Sequence, residues 1–408
     1  MPCRWILFLV TTLPLAAMGD TPLILVSLDA FRSDYCELHP VETPNLRRLK
    51  ATGVSARGLI PVFPSHTFPN HYSIVTGLRP LRHGIVNNDF FDSESGRFFH
   101  STLPVSVRDP RWWHGEPIWV TAIKQGHRAA TSFWVGSETE IEGVRPTYWR
   151  YYDPTISFDQ RLEELLDWLK LPPKERPAFV AFYLEEANSA GHAFGPESPE
   201  LVATIKLLDL EIGKMLDALE RQGIEFNLIV VSDHGMTDVS SAQAIILEDY
   251  IDRATIQIDF EGSVTGLRPL RGTVDELVNA LSSVPHVVVY RLEDMPARFH
   301  VQQSPLVPPI WVLPEAGWHF ISRAGFAKQS KRYPETTYLR GDHGYDPELS
   351  SMHGIFIASG PKFREGVEIP ELENIHIYNL LCAVLGLAPA DNDGDDRLVN
   401  AAVRPTSP

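Results

Sequence analysis

Short apolar runs alternate along the chain with stretches whose apolar residues recur at helical spacing. Leu23–Leu28 is one such run, and residues 178–184 and 226–232 are two more of the same kind. Largely apolar runs of this length are typical of strands that are buried on both faces of a sheet. The segments between them have helical periods, so the pattern predicts successive βαβ units.

The helical segments carry recognisable start signals. Thr43-Pro44 predicts the N-terminus of one helix, and Ser157 with Gln160 predicts a capping box for another. A long helix is predicted by the apolar spacing over residues 201–219. Strands that alternate with helices predict an α/β fold with a mostly parallel central sheet and helices on both faces.

The pattern changes between about residues 240 and 340, where strand-like pieces are shorter and prolines are frequent. One helix is predicted there, over Val274–Leu281. We interpret this region as a small α+β subdomain inserted into a single domain that spans residues 20–408. The main sheet is expected to resume at residues 354–359, and residues 375–387 predict a closing helix.

Composition limits the classes of partner. The 408 residues are 44% hydrophobic, enough for one large buried core. The formal net charge of -16 opposes binding of a long nucleic acid, which is held through its phosphates. A small anionic substrate stays possible where a bound metal ion reverses the local field. Composition and charge predict no particular oligomeric state.

Residues 1–19 resemble a signal peptide. Arg4 precedes an apolar run over residues 5–10, and small residues follow at positions 16–19. A buried first strand or a membrane anchor is the alternative, but Thr11 and Thr12 interrupt a run too short to span a bilayer. We therefore expect a secreted or periplasmic protein without a transmembrane anchor after signal removal. Loss of Cys3 would leave Cys36 and Cys382, either as one disulfide or as two buried free thiols.

Polar side chains with metal-binding chemistry follow the apolar runs. They are Asp29, Asp233 with His234, the pair Asn188 and His192, and His343 in Gly341-Asp342-His343-Gly344. Any one of these residues alone is more often a turn, a cap or a solvated loop residue. Together they supply enough donors for two metal ions, and mixed imidazole and carboxylate donors favour zinc over magnesium. Paired cations are suited to displacement at phosphorus.

Thr67 lies at the start of another predicted helix. Pro69 occupies a first-turn position, so the free N–H groups and the dipole of this helix favour an anion beside Thr67. A hydroxyl at that place is either a nucleophile or the cap of the helix, and capping is the commoner use. Local physics leaves both interpretations open.

Five motifs, in order, resemble those of the nucleotide pyrophosphatase/phosphodiesterase family of the alkaline phosphatase superfamily. They are Val26-Ser-Leu-Asp-Ala-Phe-Arg32, Pro64-Ser-His-Thr-Phe-Pro-Asn-His71, the segment from Gly77 to Asn88, Ser232-Asp-His-Gly-Met236 and His343-Gly-Tyr-Asp346. They cover nearly the whole mature chain. The resemblance implies an alkaline-phosphatase-like fold and a two-zinc enzyme that cleaves a small phosphodiester or nucleotide substrate through a phosphothreonine.

The resemblance also implies individual roles. One zinc would be held by Asp29, Thr67, Asp233 and His234, and the other by position 188, His192 and His343. Asn88 would bind a nonbridging phosphate oxygen, and Phe68 and Tyr183 would hold a nucleotide base. The alternatives are core packing for both aromatic residues and a turn for Asn88.

Asn188 departs from the family, which has aspartate there. An amide oxygen coordinates but is neutral, so weaker binding of the second zinc is expected. Glu185 and Glu186 lie nearby, either as substitute ligands or as solvent-facing residues. The rival functions are a catalytically impaired binding protein and a phosphomonoesterase with cationic contacts from Arg79 and Arg82. A sulfatase is excluded because the chain has no CxPxR motif.

Overall fold

The computed structural model describes residues 21–405, so the predicted signal peptide lies outside the described residues. The strands are β1 Leu23–Leu28, β2 Val54–Ala56, β3 Leu59–Ile60, β4 Asp89–Asp92, β5 Arg97–His100, β6 Ala129–Ser132, β7 Phe179–Leu184, β8 Asn227–Val231, β9 Thr237–Asp238, β10 Ala244–Ile246, β11 Ile256–Phe260, β12 Thr265–Pro269, β13 Val287–Arg291, β14 Ile310–Pro314, β15 His319–Ile321, β16 Gly341–Asp342, β17 Phe356–Ser359, β18 Val367–Ile369 and β19 Leu372–Glu373. The α-helices are α1 Tyr35–Leu38, α2 Pro44–Thr52, α3 Thr67–Thr76, α4 Pro80–His83, α5 Pro104–Val107, α6 Ile118–Lys124, α7 Phe158–Lys170, α8 Glu186–Phe194, α9 Pro199–Arg221, α10 Val274–Leu281, α11 Arg323–Arg332, α12 Ile377–Leu385 and α13 Arg397–Ala402.

A seven-stranded sheet forms the centre of the fold, in the order β18-β2-β17-β8-β1-β7-β6. β1 lies between β8 and β7 and is parallel to both, and β6 and β18 also pair in parallel. β17 is antiparallel to both its neighbours. The predicted α/β class and the mostly parallel sheet are therefore confirmed.

Helices cover both faces of this sheet. Leu23 and Leu25 of β1 pack into a core that includes residues of α3, α6 and α12. Ile24 and Val26 point to the opposite core, which includes residues of α2, α7 and α9. Because successive side chains of a strand point to opposite faces, one uninterrupted apolar run supplies both cores.

Most predicted helix boundaries agree with the structure. Thr43 is the N-cap of α2, and the capping box of Ser157 and Gln160 begins α7. The predicted closing helix is α12, but it is not the last helix, because Gly386 ends it in a left-handed conformation at φ 71° and α13 follows. β2 and β18 were missed, since three residues are too few to show a period.

A second sheet lies within the region of changed pattern. It contains four antiparallel strands in the order β11-β12-β14-β13, and α10 has the bounds that the sequence predicted. Its core is separate from the two cores of the main sheet. The interpretation of residues 240–340 as an inserted subdomain stays a prediction.

Two cysteines lie within the described residues. Cys36 and Cys382 are both buried free thiols, and they belong to cores on opposite faces of the sheet. Burial raises the pKa of each thiol to about 12. The disulfide alternative is therefore wrong.

Within residues 21–405, no helix has both the length and the apolar character needed to cross a bilayer.

Glu211 is an unpaired acid on the inner side of α9. It is 8% exposed, and its Oε2 atom has no hydrogen-bond partner among the described residues. Burial raises its pKa to about 7, and the negative charges of Glu186 and Asp159 add to the shift, while Lys214 and Arg161 oppose it. In the unfolded chain the same group ionises near 4.5.

We expect Glu211→Gln to stabilise the fold in a pH-dependent way. Below pH 4.5 Glu211 is protonated in both states, so the variant should match the wild type. As pH rises from 4.5 to 7, the wild type loses stability because the unfolded chain ionises Glu211 more readily than the folded state does, and from pH 7 upward the variant should be more stable by on the order of 2 kcal/mol. Urea unfolding at pH 4, 6 and 8 measures the difference.

Glu220→Gln is the matched control, because Glu220 lies on the exposed face of the same helix. We expect no change at any of the three pH values. A gain for Glu211→Gln that is as large at pH 4 as at pH 8 would contradict the assignment of the effect to ionisation.

Candidate active site

The carboxyl ends of the central strands carry the candidate residues. Asp29 directly follows β1, and Asp233 lies two residues beyond β8, the parallel neighbour of β1. α8 begins just beyond β7, which flanks β1 on the other side, and it carries Asn188 and His192 one turn apart. Neighbouring parallel strands end at the same edge, which brings residues distant in sequence together.

Three of the predicted metal ligands converge on the ring of a fourth, His234. Nε2 of His234 lies 3.0 Å from Asp233 Oδ2, 3.6 Å from Asp29 Oδ1 and 3.2 Å from the Thr67 hydroxyl oxygen. Both carboxylates and the imidazole are fully buried or nearly so. These residues are Asp29, Thr67, Asp233 and His234, the set that the resemblance implies for one metal.

Two carboxylates in one buried site oppose each other's ionisation. Burial, together with the negative charge of Asp233, raises the pKa of Asp29 well above its usual value. Burial also disfavours ionised Asp233, but the adjacent rings of His234 and His71 outweigh it and lower the pKa of that carboxyl. A cation between the two carboxylates would allow both to be ionised.

The remaining predicted ligands lie beside this group. Ligand atoms of His192, Asp342 and His343 lie within 4.8 Å of one another. The ring of His343 stacks on His234 at a centroid distance of 3.6 Å, so the two groups are contiguous. Asn188 lines the same cavity as Asp29 and Thr67.

Backbone carbonyls orient the three predicted histidine ligands. His192 Nδ1 lies 2.8 Å from Gly341 O, His234 Nδ1 2.8 Å from Gly235 O, and His343 Nδ1 2.9 Å from Ser65 O. Donation from Nδ1 leaves the lone pair on Nε2, which is a common arrangement in histidine ligands. Burial lowers the pKa of both His192 and His343, so both rings are neutral and suited to a metal.

Two buried oxygen atoms show that the residues fit a metal ion. Asp29 Oδ1 and Asn188 Oδ1 receive no hydrogen bond from any residue that the structure describes. Buried polar atoms are nearly always paired, and an unpaired carboxylate oxygen is costly. Oxygen donors beside neutral imidazoles match the ligand chemistry of zinc.

Thr67 is the first residue of α3, and His66 occupies the N-cap position. Its hydroxyl faces His234 and therefore does not cap the helix. Asn88 Oδ1 accepts a hydrogen bond from the Phe68 backbone N–H at 2.8 Å. This bond orients the amide, and its NH2 group remains for an anionic oxygen in the cavity that Asn88 and Thr67 both line.

The chain is similar to known proteins over more than nine-tenths of its length. The family model described as type I phosphodiesterase/nucleotide pyrophosphatase matches residues 23–346. The chain belongs to this family. A pyrophosphatase/phosphodiesterase of Schizosaccharomyces pombe, itself uncharacterized, is 37% identical over 389 residues, which are 92% of this chain and 79% of the relative.

Other relatives are animal proteins. A venom phosphodiesterase of Macrovipera lebetinus is 36% identical over 93% of this chain, but this covers only 45% of the relative, so the chain spans about half the length of such venom proteins. The solved structure of murine ectonucleotide pyrophosphatase/phosphodiesterase 5 has a TM-score of 0.86 at 32% identity and is covered completely. An inactive threonine-to-alanine variant of that murine protein, in complex with AMP, has a TM-score of 0.87.

The cavity of this phosphodiesterase family member has a volume of about 450 Å³. Phe68 and Tyr183 both line it, together with Phe133, Trp134 and Tyr152. Tyr183 is only 9% exposed, and its hydroxyl donates to Asp29 Oδ2 at 2.5 Å. Tyr183 thus orients a candidate metal ligand, a contact that the interpretation as a base-holding or core residue did not include.

The sequence interpretation missed two side chains of the site. His71 lies one helical turn after Thr67; its Nε2 is 2.8 Å from Ser27 Oγ, and its Nδ1 is 3.1 Å from Asp233 Oδ2. Asp342 lies 2.9 Å from the His319 ring and belongs to the His192 group. The four-residue spacing of His71 from Thr67 was a usable signal, and Asp342 adjoins a histidine that was identified.

Arg79 and Arg82 do not line the cavity. Arg79 forms an ion pair with Glu373 at 2.8 Å, and Arg82 pairs with Asp391 and Asp393 at 2.5 and 2.7 Å. The cationic contacts that a phosphomonoesterase would need for a dianion are therefore not supplied by these residues.

Proposed function

We propose that this chain is a two-zinc phosphodiesterase and nucleotide pyrophosphatase that uses Thr67 as its nucleophile. The observation that carries the proposal is the position of the Thr67 hydroxyl, 3.2 Å from His234 Nε2, at a helix N-terminus and in the cavity that Asp29 and Asn188 also line. A nucleophilic hydroxyl, metal-ligand chemistry and an anion-binding helix end coincide there.

Two sets of residues would hold the metals. The first is Asp29, Thr67, Asp233 and His234, and the second is Asn188, His192 and His343, with Asp342 beside it. Bound zinc would favour the alkoxide form of a hydroxyl and offset negative charge at phosphorus. Tyr183 orients Asp29 through its hydroxyl, and His71 Nδ1 lies 3.0 Å from the Thr67 carbonyl oxygen and 3.1 Å from Asp233 Oδ2.

The reaction would proceed in two displacements at phosphorus. Thr67 Oγ forms a bond to phosphorus while the bond to the leaving oxygen breaks, giving a phosphothreonine. Water then attacks the phosphothreonine, which releases the phosphate ester and restores the Thr67 hydroxyl. The NH2 group of Asn88, oriented through the Phe68 N–H, would bind a nonbridging oxygen as charge develops.

The retained part of the substrate would lie in the aromatic cavity. Phe68, Phe133 and Tyr152 offer ring surfaces of the kind that bind a nucleobase. The AMP complex of the murine relative supports a nucleotide as substrate, and the inactive threonine variant in that complex supports a threonine nucleophile. Export is supported by the predicted signal peptide and by venom proteins and ectoenzymes among the relatives.

A catalytically impaired nucleotide-binding protein is the second candidate, because Asn188 is neutral where the family has aspartate. Hydrolysis of bis-p-nitrophenyl phosphate and of p-nitrophenyl phosphate, each with added zinc, separates the candidates. We expect turnover of the diester at least about 100-fold faster than of the monoester, because Arg79 and Arg82, the cations considered for a dianion, are held outside the cavity in ion pairs.

Each contrary outcome has a distinct meaning. Turnover of the monoester alone would contradict the diesterase. No turnover of either ester, combined with tight binding of AMP, would favour the binding protein.

A further inference from the structure

The second of the two proposed metal sites has no charged ligand of its own. Asn188 offers an amide oxygen, and His192 and His343 offer imidazoles, and all three groups are neutral as ligands. The first site, in contrast, contains the carboxylates of Asp29 and Asp233. A divalent cation in a largely buried site is costly unless nearby anions balance its charge. A further carboxylate is therefore expected close to the second site.

Asp342 is the carboxylate that lies with this set of residues. One of its oxygens lies within 4.8 Å of a ligand atom of each of His192 and His343. Its Oδ1 is 3.7 Å from Nδ1 of His192, the ring nitrogen that also faces the Gly341 carbonyl oxygen at 2.8 Å. Asp342 is not among the residues that line the cavity. Its charge therefore acts on the second site from beside the His192 ring and not from the cavity.

Two buried side chains hold the Asp342 carboxylate in place. His319 Nε2 lies 2.9 Å from Asp342 Oδ2, and His319 Nδ1 lies 2.8 Å from the Tyr338 hydroxyl oxygen. His319 and Tyr338 are both buried, so water does not compete for these contacts. Asp342 itself belongs to β16, which pairs with β9. The fold thus fixes a negative charge beside the second site, and a charge fixed in advance needs little reorganisation when a cation binds.

The other acids near position 188 are less suited to this role. Glu185 lines the cavity, but its carboxylate accepts a hydrogen bond from the Tyr152 hydroxyl. Within the described part of the chain, neither Glu185 nor Glu186 belongs to a group of converging ligand atoms. Among the described residues, Asp342 is the acid that shares such a group with His192 and His343.

We propose that Asp342 supplies the negative charge of the second metal site, which the neutral Asn188 does not supply. The inference rests on the two metal sites of the proposed function and adds a positioning residue to one of them. Asp342 acts through His192 and through its own charge, without touching the substrate. Charges at positions 342 and 188 would balance the same cation, so their effects on zinc affinity are not independent of each other.

A double-mutant cycle on zinc affinity tests the proposal. Zinc titration against a chromophoric chelator gives two dissociation constants, and the weaker constant is that of the second site, which Asn188→Asp alters. We expect Asp342→Asn to weaken the second constant by about 10- to 100-fold and the tighter one by less than about 3-fold. In the Asn188→Asp background, Asp342→Asn should weaken the second constant by less than about 5-fold, because residue 188 then carries a charge.

Asp238→Asn is the matched control. Asp238 lies opposite Gly341 on the paired strand β9, is exposed, and belongs to neither group of converging ligand atoms. The same loss of charge at this position should leave both zinc constants unchanged. Asp342→Ser is a second neutral variant, and it should weaken the second constant as Asp342→Asn does. An unchanged tighter constant shows that the variant proteins are folded.

Three outcomes would overturn the role of Asp342. They are an unchanged second constant in Asp342→Asn, an equal loss in both backgrounds, which would show a structural role, and a wild type that binds no second zinc. Failure of the proposed function appears in a separate measurement, the turnover of bis-p-nitrophenyl phosphate. A protein that shows the coupling between positions 188 and 342 without turnover would contradict the proposed function and support the role of Asp342. Turnover without the coupling would support the function and overturn that role.

Discussion

Replacing Thr67 with alanine is expected to reduce kcat for diester hydrolysis by at least about 1,000-fold. The reason is that the hydroxyl oxygen is the atom proposed to form the bond to phosphorus, and the nearest described side-chain contact of this oxygen is His234. Affinity for AMP should change by far less, because Phe68 and Asn88 remain in the cavity. Steady-state kinetics and calorimetry on the same preparation measure both quantities.

Thr67→Ser is the matched variant for this experiment. It keeps a hydroxyl at the start of α3 and should retain activity within about 10-fold of the wild type. Acid quenching followed by mass spectrometry should find a nucleotidyl adduct on the peptide that contains residue 67 in the wild type and in the serine variant. A Thr67→Ala protein that keeps its activity, or an adduct on another residue, would contradict the assignment of the nucleophile.

Asn188→Asp is expected to strengthen binding of the second zinc by about 10- to 100-fold and to raise activity at limiting zinc. Asn188 Oδ1 is buried and unpaired among the described residues, in the cavity that Asp29 and Thr67 also line. An aspartate would place a negative charge at this oxygen, and the charge would attract the cation more strongly than an amide dipole does. Zinc stoichiometry and competition with a chelator measure the change without reference to turnover.

The same substitution should have opposite effects on the metal-free and the zinc-bound protein. In the metal-free protein, a carboxylate at position 188 lowers stability because it is buried near Asp29 and Glu185. In the zinc-bound protein, the cation balances the charge of this carboxylate, so stability rises. Ser189→Asp adds the same charge at the exposed neighbouring position of α8 and should alter neither quantity. If Asn188→Asp binds zinc no better than the wild type, the second metal site is not at residue 188.

The roles of Glu185 and Glu186 follow from tertiary contacts and not from their positions in the sequence. The sequence left Glu185 and Glu186 either as substitute ligands or as solvent-facing residues. In the structure, Glu185 lines the cavity but accepts a hydrogen bond from the Tyr152 hydroxyl, and Glu186 is partly buried, with burial raising the pKa of its carboxyl. Neither belongs to the groups of His, Asp and Glu residues that offer converging ligand atoms in the described part of the chain.

Local sequence patterns are enough to predict the fold class and most of the candidate site residues. An apolar run such as Leu23–Leu28, or a capping box such as that of Ser157, involves residues that are neighbours in the sequence, so the local pattern predicts it. Because ligands bind at the carboxyl ends of parallel strands, the polar residue after each run was also a candidate before its surroundings were known.

Which of these residues meet depends on tertiary packing. Thr67 contacts His234, and the Tyr183 hydroxyl contacts Asp29, although the members of each pair are far apart in the chain. The two cysteine thiols, in contrast, are kept apart. Such distances depend on how helices pack on the sheet and not on local propensity.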